Sequence, residues 1–261
     1  MTKRLLKSIV RDWLHYAELD FTTPSGLQLF VPDRGAWGSA GEVFHTRLYD
    51  PFYQHLREVR HWVDLGCNNG FFSFGLLDYL TTAGKPAPET RAFLADANQI
   101  CVTRVQAAID HNRLSSLWRC RQLVIGPPGA TVSFQQHKDS LHSNIFGHGR
   151  SRRFFRYPTT DISALLKAES QLFDLIKIDI EGAERFLFEN HLPFLKRFRF
   201  GLCEWHTPDF PGVKLQEYLQ QLGWRTLELR SQGVQYDRAA LGDSWVSPLG
   251  MVLWENPAPT H

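Results

Sequence analysis

From residue 61 onward, short runs of apolar and β-favouring residues alternate with stretches whose apolar positions recur every three or four residues, the pattern of parallel strands joined by crossover helices. The runs His61–Leu65, Arg91–Ala95, Cys120–Ile125, Phe173–Ile178 and Arg199–Glu204 read as strands. Helices are predicted near Phe71–Leu80, Gln99–Asn112, Asp161–Ala168 and Ala183–Asn190, the last with Ala183, Phe186 and Leu187 at i, i+3 and i+4. Strands linked in this way form a doubly wound α/β sheet of the Rossmann-like kind. After a helix near Val213–Leu222 the pattern changes to Trp224–Arg230 and Met251–Trp254 with no helix between them, which predicts an antiparallel hairpin at one edge. Residues 1–60 lack the alternation and are set apart as an N-terminal extension before a domain spanning 61–261. The segment Thr81–Thr90, with AGKPAP inside it, reads as a surface loop.

Composition narrows the class. With 43% apolar and 21% charged residues in 261, the chain has core material for one large globular domain. Lys and Arg number 29 against 27 Asp and Glu, and the resulting +2 gives no field that argues for a nucleic-acid partner. There is no apolar run long enough to span a membrane, and the start MTKRLLKSIVRDWLHY turns charged and aromatic too soon for a signal peptide, so a cytoplasmic location is expected. Cys67, Cys101, Cys120 and Cys203 are widely spaced, without the paired spacing of zinc or redox motifs, and are expected to be reduced thiols.

Candidate chemistry begins at HWVDLGCNNGFFSF, residues 61–74, where a strand ends near Asp64, turns through Gly66 and Gly70 and enters an aromatic-rich helix. The glycines leave only G-x-x-x-G, which is neither the dinucleotide fingerprint nor a phosphate loop. An acid at the end of the first strand suits a ligand with a cationic amino-acid tail. The second strand, RAFLADAN, ends in Asp96, placed to accept hydrogen bonds from ribose hydroxyls. S-adenosylmethionine is the ligand that needs both acids. The competing reading is a structural elbow at Asp64, with Asp96 merely capping the helix that begins near Asn98.

The segment FDLIKIDIEGAE at 173–184, with VDLGCNNGFFS at 63–73, FLADAN at 93–98, TTDISALL at 159–166 and LCEWH at 202–206, resembles the FkbM family of S-adenosylmethionine-dependent methyltransferases. The resemblance covers roughly residues 42 to 206. It implies a seven-stranded class I methyltransferase sheet of order 3-2-1-4-5-7-6 and methyl transfer to a hydroxyl on a sugar or natural product. It places Asp64, Gly66 and Gly70 in the first cofactor loop and Asp96 as the ribose-binding acid. Together with Asn68, Phe71, Ala97 and Gly126, these form the expected cofactor-binding set. Three positions depart from the family pattern: Asp96-Ala97 stands where Glu-Pro is usual, and Cys67 where Gly or Ala is usual.

At the next strand, period-2 alternation puts Lys177, Asp179 and Glu181 on one parity, and Asp179 to Gly182 falls where the strand opens into its crevice. Glu204 and His206 share a parity on the neighbouring strand and point to the same mouth. Methyl transfer to oxygen requires an aligned nucleophile and a base. His206 is the first candidate base, with Glu204 orienting it, or with Asp179 and Glu181 holding the acceptor hydroxyl. No metal ligand is assigned. A divalent cation on Asp179, Glu181 and His206 is a competing reading that is not favoured. For Lys177 the favoured reading is a structural one, a buried ion-pair layer with Asp179 and Glu204.

Weaker features complete the picture. Arg150, Arg152, Arg153 and Arg156, with Phe154 and Phe155 between them, read as a solvated loop rather than as a basic and aromatic patch for an acidic substrate or nucleic acid. His137, His142 and His148 lack recognised ligand spacing, and Gln135–Gly149 is a candidate lid. Trp37, Phe44, Tyr49 and Tyr53 are candidates to cover the cofactor pocket, and packing onto the sheet edge explains them equally well. The expectation is an O-methyltransferase acting on a small-molecule or glycan acceptor, with no nucleic-acid or membrane partner. The alternatives are a non-catalytic binding or regulatory protein of the same fold, and an N- or carboxyl-directed methyltransferase.

Overall fold

The computed structural model describes residues 19–83, 89–135, 154–162, 173–206, 209–232, 241–242 and 245–260. In chain order its strands are β1 (Leu19–Thr22), β2 (Gln28–Val31), β3 (His61–Leu65), β4 (Arg91–Asp96), β5 (Trp118–Gln122), β6 (Thr131–Gln135), β7 (Phe154–Pro158), β8 (Leu175–Ile178), β9 (Phe200–His206), β10 (Arg225–Gln232), β11 (Leu241–Gly242) and β12 (Leu249–Glu255). Its α-helices are α1 (Arg34–Ala40), α2 (Asp50–Tyr53), α3 (Phe71–Thr82), α4 (Gln99–His111), α5 (Glu184–Asn190), α6 (Leu192–Leu195) and α7 (Gly212–Gln221).

The central sheet runs β11-β10-β12-β9-β8-β3-β4-β5. Neighbours from β9 to β5 are parallel, whereas β12 inserts antiparallel between β9 and β10. Numbered within the sheet, the long strands follow 3-2-1-4-5-7-6, and the two-residue β11 adds an eighth at the edge. Hairpins β1–β2 and β6–β7 stand apart from this sheet.

The strand chemistry explains the layering. All of β8, and β3 after its first residue, is buried on both faces, as expected for central parallel strands covered by helices. On one face Trp62, Leu94 and Leu202 pack with Phe74 of α3 and Val105 of α4; on the other, Val63, Phe93 and Ile176 pack with Phe188 of α5 and Leu215 of α7. Residues 19–60 carry structure of their own: hairpin β1–β2, helices α1 and α2 and a wide helical turn at Gly41–His45. Its Leu29, Val43, Tyr49 and Phe52 join the same core as α3. These elements are too short to leave a clear period in sequence.

Two boundaries differ from the sequence reading. The strand expected at Cys120–Ile125 is β5, Trp118–Gln122, because its partner β4 ends at Asp96; Leu123, Val124 and Ile125 stay buried but lie past the ladder. Strand β9 continues past Glu204 to His206, paired with Leu249 of β12. Of the expected helix Asp161–Ala168, residues 163–168 lie outside the described residues.

Strands β9 and β12 meet through two reciprocal pairs, Gly201 opposite Trp254 and Gly250 opposite Trp205. A Cβ on Gly201 would lie 2.0 Å from the Trp254 ring, and one on Gly250 would lie 2.3 Å from the Trp205 ring. Each indole occupies the space that a side chain on the facing strand would need.

Candidate active site

The turn after β3 is bent by left-handed residues: φ is +73° at Gly66, +50° at Asn68 and +77° at Gly70. Gly66 is required twice over, by its φ and because an added Cβ would sit 1.6 Å from the Asp179 carbonyl oxygen. The backbones at the ends of β3 and β8 are therefore in direct contact. Gly66 and Cys67 both donate to the Ala95 carbonyl, at 2.8 and 2.9 Å, which ties the turn to β4.

Asp64 is fully buried beneath this turn rather than on the cleft wall. Its Oδ2 accepts from Ser73 Oγ at 2.7 Å, and Ser73 Oγ accepts from Trp62 Nε1 at 3.0 Å. Its Oδ1 lies 3.5 Å from Lys177 Nζ. Burial raises the Asp64 carboxyl above its usual range, and the Lys177 ammonium and Ser73 act against that. Lys177, 5% exposed, also donates to Gly66 O at 2.9 Å and to Asp179 Oδ2 at 3.0 Å. Burial alone pulls the lysine down, but Asp179 and Asp64 leave it above its ordinary value, so it stays charged. The ion-pair layer read for Lys177 is present, with Asp64 rather than Glu204 as the second carboxylate in contact.

Asp96 closes β4 and takes two backbone donors, Asn68 N on Oδ2 at 2.8 Å and Asn98 N on Oδ1 at 2.7 Å. Asn98 itself caps α4, accepting from Ile100 N at 3.0 Å, so the capping read for Asp96 belongs to Asn98. Burial pushes Asp96 up to about 6 despite these bonds.

A cleft of about 380 Å³ opens at the ends of β3, β8 and β9. Of the expected residues, Asn68, Phe71, Asp179, Glu181, Glu204 and His206 line it. Gly66, Gly70, Asp96 and Ala97 shape the surrounding turns without lining it, and Gly126 packs against Val132 and Thr159 near the β6–β7 hairpin. The N-terminal segment supplies Ser39, Glu42, Val43, Leu48 and Tyr49 to the opposite wall. Among the aromatics proposed as a cover, only Tyr49 lines this cleft; Phe44 and Tyr53 face a separate cavity of about 330 Å³ beside α3, and Trp37 lies outside both.

At the mouth, Glu181 has φ +54° and is followed by Gly182 at +96°, a strained turn of the sort that accumulates at functional sites. His206 Nε2 faces Glu181 Oε2 at 3.7 Å and Asp179 Oδ1 at 3.9 Å. Its Nδ1 lies 3.1 Å from Oε1 of Glu184, a residue that the sequence reading did not single out. Glu204, two residues away along the same strand, does not orient the ring; Glu184 reaches it from the first turn of α5. Burial opposes the charge on His206, but the Glu184 hydrogen bond and the surrounding carboxylates raise it well above the usual histidine range. Burial, then Asp179, pushes Glu204 up to about 8. The signal for Glu184 is an acid on a buried helical stripe, paired at i, i+4 with Phe188; both are buried.

The cluster Asp179, Glu181 and His206 offers ligand atoms within 4.8 Å of one another and is thus also able to receive a cation. Arg156 is exposed on β7, whereas Arg150, Arg152, Arg153, His137, His142, His148 and the candidate lid at 136–149 lie outside the described residues.

The chain matches the family described as the methyltransferase FkbM domain over residues 50–235. No curated protein matches it in sequence. Among solved structures it is similar to a Streptococcus mutans protein described as a SAM-dependent methyltransferase, with TM-score 0.51 and 8% identity over 91% of this chain and 55% of that one. It also aligns with M. capricolum TrmK in complex with S-adenosyl-homocysteine, with TM-score 0.46 and 10% identity over 82% of this chain and 70% of that one. A third alignment, to the N-terminal domain of human METTL16 with the same compound, has TM-score 0.41 and 12% identity over 97% and 81% of the two chains.

Proposed function

Because the chain belongs to the FkbM methyltransferase family and is a S-adenosylmethionine-dependent methyltransferase, we propose that its acceptor is a hydroxyl on a carbohydrate or natural product. The observation that carries this reading is the group of Asp179, Glu181, Glu204 and His206 on one cleft wall, directly against the Gly66 turn. The residues present fit the cofactor. The cleft volume of about 380 Å³ lies in the range of small-molecule sites, and the glycine turn lets a ligand approach the backbone. Asp96 closes the second strand beside this turn, where ribose hydroxyls are held in this class of sheet; it does not line the cleft, and a ribose would share its carboxylate with Asn68 N and Asn98 N. When bound, S-adenosylmethionine supplies an electrophilic methyl group on a sulfonium.

This chain's own residues then have distinct tasks. Asp179, fixed by Lys177, and Glu181 accept hydrogen bonds from the acceptor and align its oxygen. His206, in its neutral form, takes the hydroxyl proton at Nε2. The carboxylates around the mouth favour cations, which suits a positively charged cofactor. The segment before residue 61 caps the cleft through Tyr49 and Glu42. Among the described residues no helix is long and apolar enough to cross a membrane.

The experiment has two arms. Calorimetric titration with S-adenosylmethionine tests the pocket, and a screen of source-cell extracts for newly methylated products finds the acceptor. Asp179→Ala and His206→Ala should keep cofactor binding and lose rate by ~10²–10⁴-fold. Full activity in both variants would falsify the assignment of these residues.

A second reading is favoured by the proximity of Asp179, Glu181 and His206: a divalent cation held there would acidify the acceptor hydroxyl instead. Activity that survives exhaustive chelation removes that reading.

A further inference from the structure

We propose that Glu184 is the positioning residue of the acceptor site, holding His206 in the Nδ1–H tautomer so that Nε2 faces the cleft mouth. The inference rests on the reading above in taking the mouth as the acceptor site, and it holds whether Nε2 accepts a proton or binds a cation.

The geometry leaves little choice of tautomer. An ionised carboxylate only accepts hydrogen bonds, so the 3.1 Å contact between His206 Nδ1 and Glu184 Oε1 requires the proton on Nδ1. In the neutral ring the lone pair then lies on Nε2. That atom lies 3.7 and 3.9 Å from the Glu181 and Asp179 carboxylates, beyond a good hydrogen bond to either, and is therefore available to a guest between them.

Glu184 does more than touch the ring. The same Oε1 accepts from Ile180 N at 3.0 Å, so one carboxylate oxygen fixes both His206 and the strained turn that carries Asp179 and Glu181. The three groups at the mouth are thereby held in one frame by a residue that does not line the cleft.

The energetics also argue against a purely structural role. Glu184 is 0% exposed, and its Oε2 has no hydrogen-bond partner among the described residues. An unsatisfied buried carboxylate oxygen is destabilising, and one turn further along the same helix Phe188 is packed into the core. A helix start needs only a small polar cap, which Ser or Asp provides at lower cost. The ring-facing geometry is what a glutamate of this reach supplies.

The test uses the full-length, ¹⁵N-labelled protein and long-range ¹H–¹⁵N spectra of its histidine rings, with His206→Gln to identify the resonances. Groups facing this ring are Glu184 from α5, Asp179 and Glu181 from the turn after β8, and Glu204 from its own strand. The wild-type ring should show Nδ1–H when neutral. Glu184→Gln keeps an accepting oxygen but loses the charge, so the tautomer should persist while the titration midpoint falls by about one pH unit. In Glu184→Ala the neutral ring should move to the Nε2–H form. A midpoint unchanged in Glu184→Gln, or a wild-type ring carrying its proton on Nε2, overturns the proposal. If Glu184→Ala does not fold, Glu184→Gln decides alone. Titration of the same samples with S-adenosylmethionine separates the two readings: a wild-type protein that ignores the cofactor defeats the methyltransferase reading while leaving the tautomer result intact.

Discussion

Replacing Lys177 with methionine isolates what holds the cofactor turn against the acceptor turn. The ammonium touches Gly66 O, Asp179 Oδ2 and Asp64 Oδ1 at 2.9, 3.0 and 3.5 Å. Methionine fills similar volume but leaves Asp64, which is fully buried, with Ser73 as its remaining side-chain partner. Removing one member of a buried pair costs about 3–5 kcal/mol, a fifth or more of the ~5–15 kcal/mol that holds a typical domain together. The loss depends on pH in a defined direction. Burial already raises the Asp64 carboxyl, and without the ammonium it rises further, so the folded variant keeps a proton that the unfolded chain has lost. Stability of the variant therefore falls as pH increases from the unfolded carboxylate value through the folded one, and then levels off. Urea unfolding at pH 5 and pH 7.5 should show the smaller deficit at pH 5. The double variant Lys177→Met with Asp64→Asn removes the stranded charge and should recover about half or more of the deficit. A deficit under about 1 kcal/mol at pH 7.5, or a double variant no better than the single, refutes the ion-pair account.

Three further outcomes follow from the same geometry. Gly66→Ala places a Cβ 1.6 Å from Asp179 O at φ +73°, so the two turns must separate by more than an ångström; cofactor affinity should fall at least ~10-fold, and wild-type affinity in this variant would contradict the close approach. With Asp96 raised to about 6, cofactor binding that uses its ionised form should weaken as pH drops through that value, by up to ~10-fold per unit below it; calorimetry of Asp96→Asn should lose this pH dependence, and an identical profile would exclude Asp96 from the ribose contact. Because His206 is held protonated well above the ordinary histidine range, methyl transfer that uses its neutral form should keep accelerating as pH rises past neutrality; a rate that is flat from pH 7 to pH 9 points away from His206 as base.

The parts legible in sequence were those written in local periodicity. Strands β3 and β4 and helices α3 and α4 appear where alternation and helical spacing place them, and the shared parity of Glu204 with His206 brings both to the cleft. What escaped the sequence depends on contacts between distant segments. Glu184 and His206 are 22 positions apart and meet only because α5 begins beside the end of β9. The place of Asp64 near the end of the first strand predicts a cofactor contact, yet the pleat turns it inward to Ser73 and Lys177. The wall built from Ser39 to Tyr49 was hidden because its elements are too short to set a period.

The facing Gly201/Trp254 and Gly250/Trp205 pairs act as a key for strand alignment. Sliding β12 by two residues would bring each indole onto a facing residue that has a side chain, so alternative registers are excluded by volume rather than by hydrogen bonding, which any register satisfies. Trp205 sits between Glu204 and His206, so the same fit dictates how far along the strand the acid and the imidazole stand. Enlarging Gly201 should thus be tolerated only together with trimming of Trp254, whereas Gly250 also faces the Arg230 carbonyl, 2.7 Å from where a Cβ would sit, and should resist enlargement even when Trp205 is trimmed.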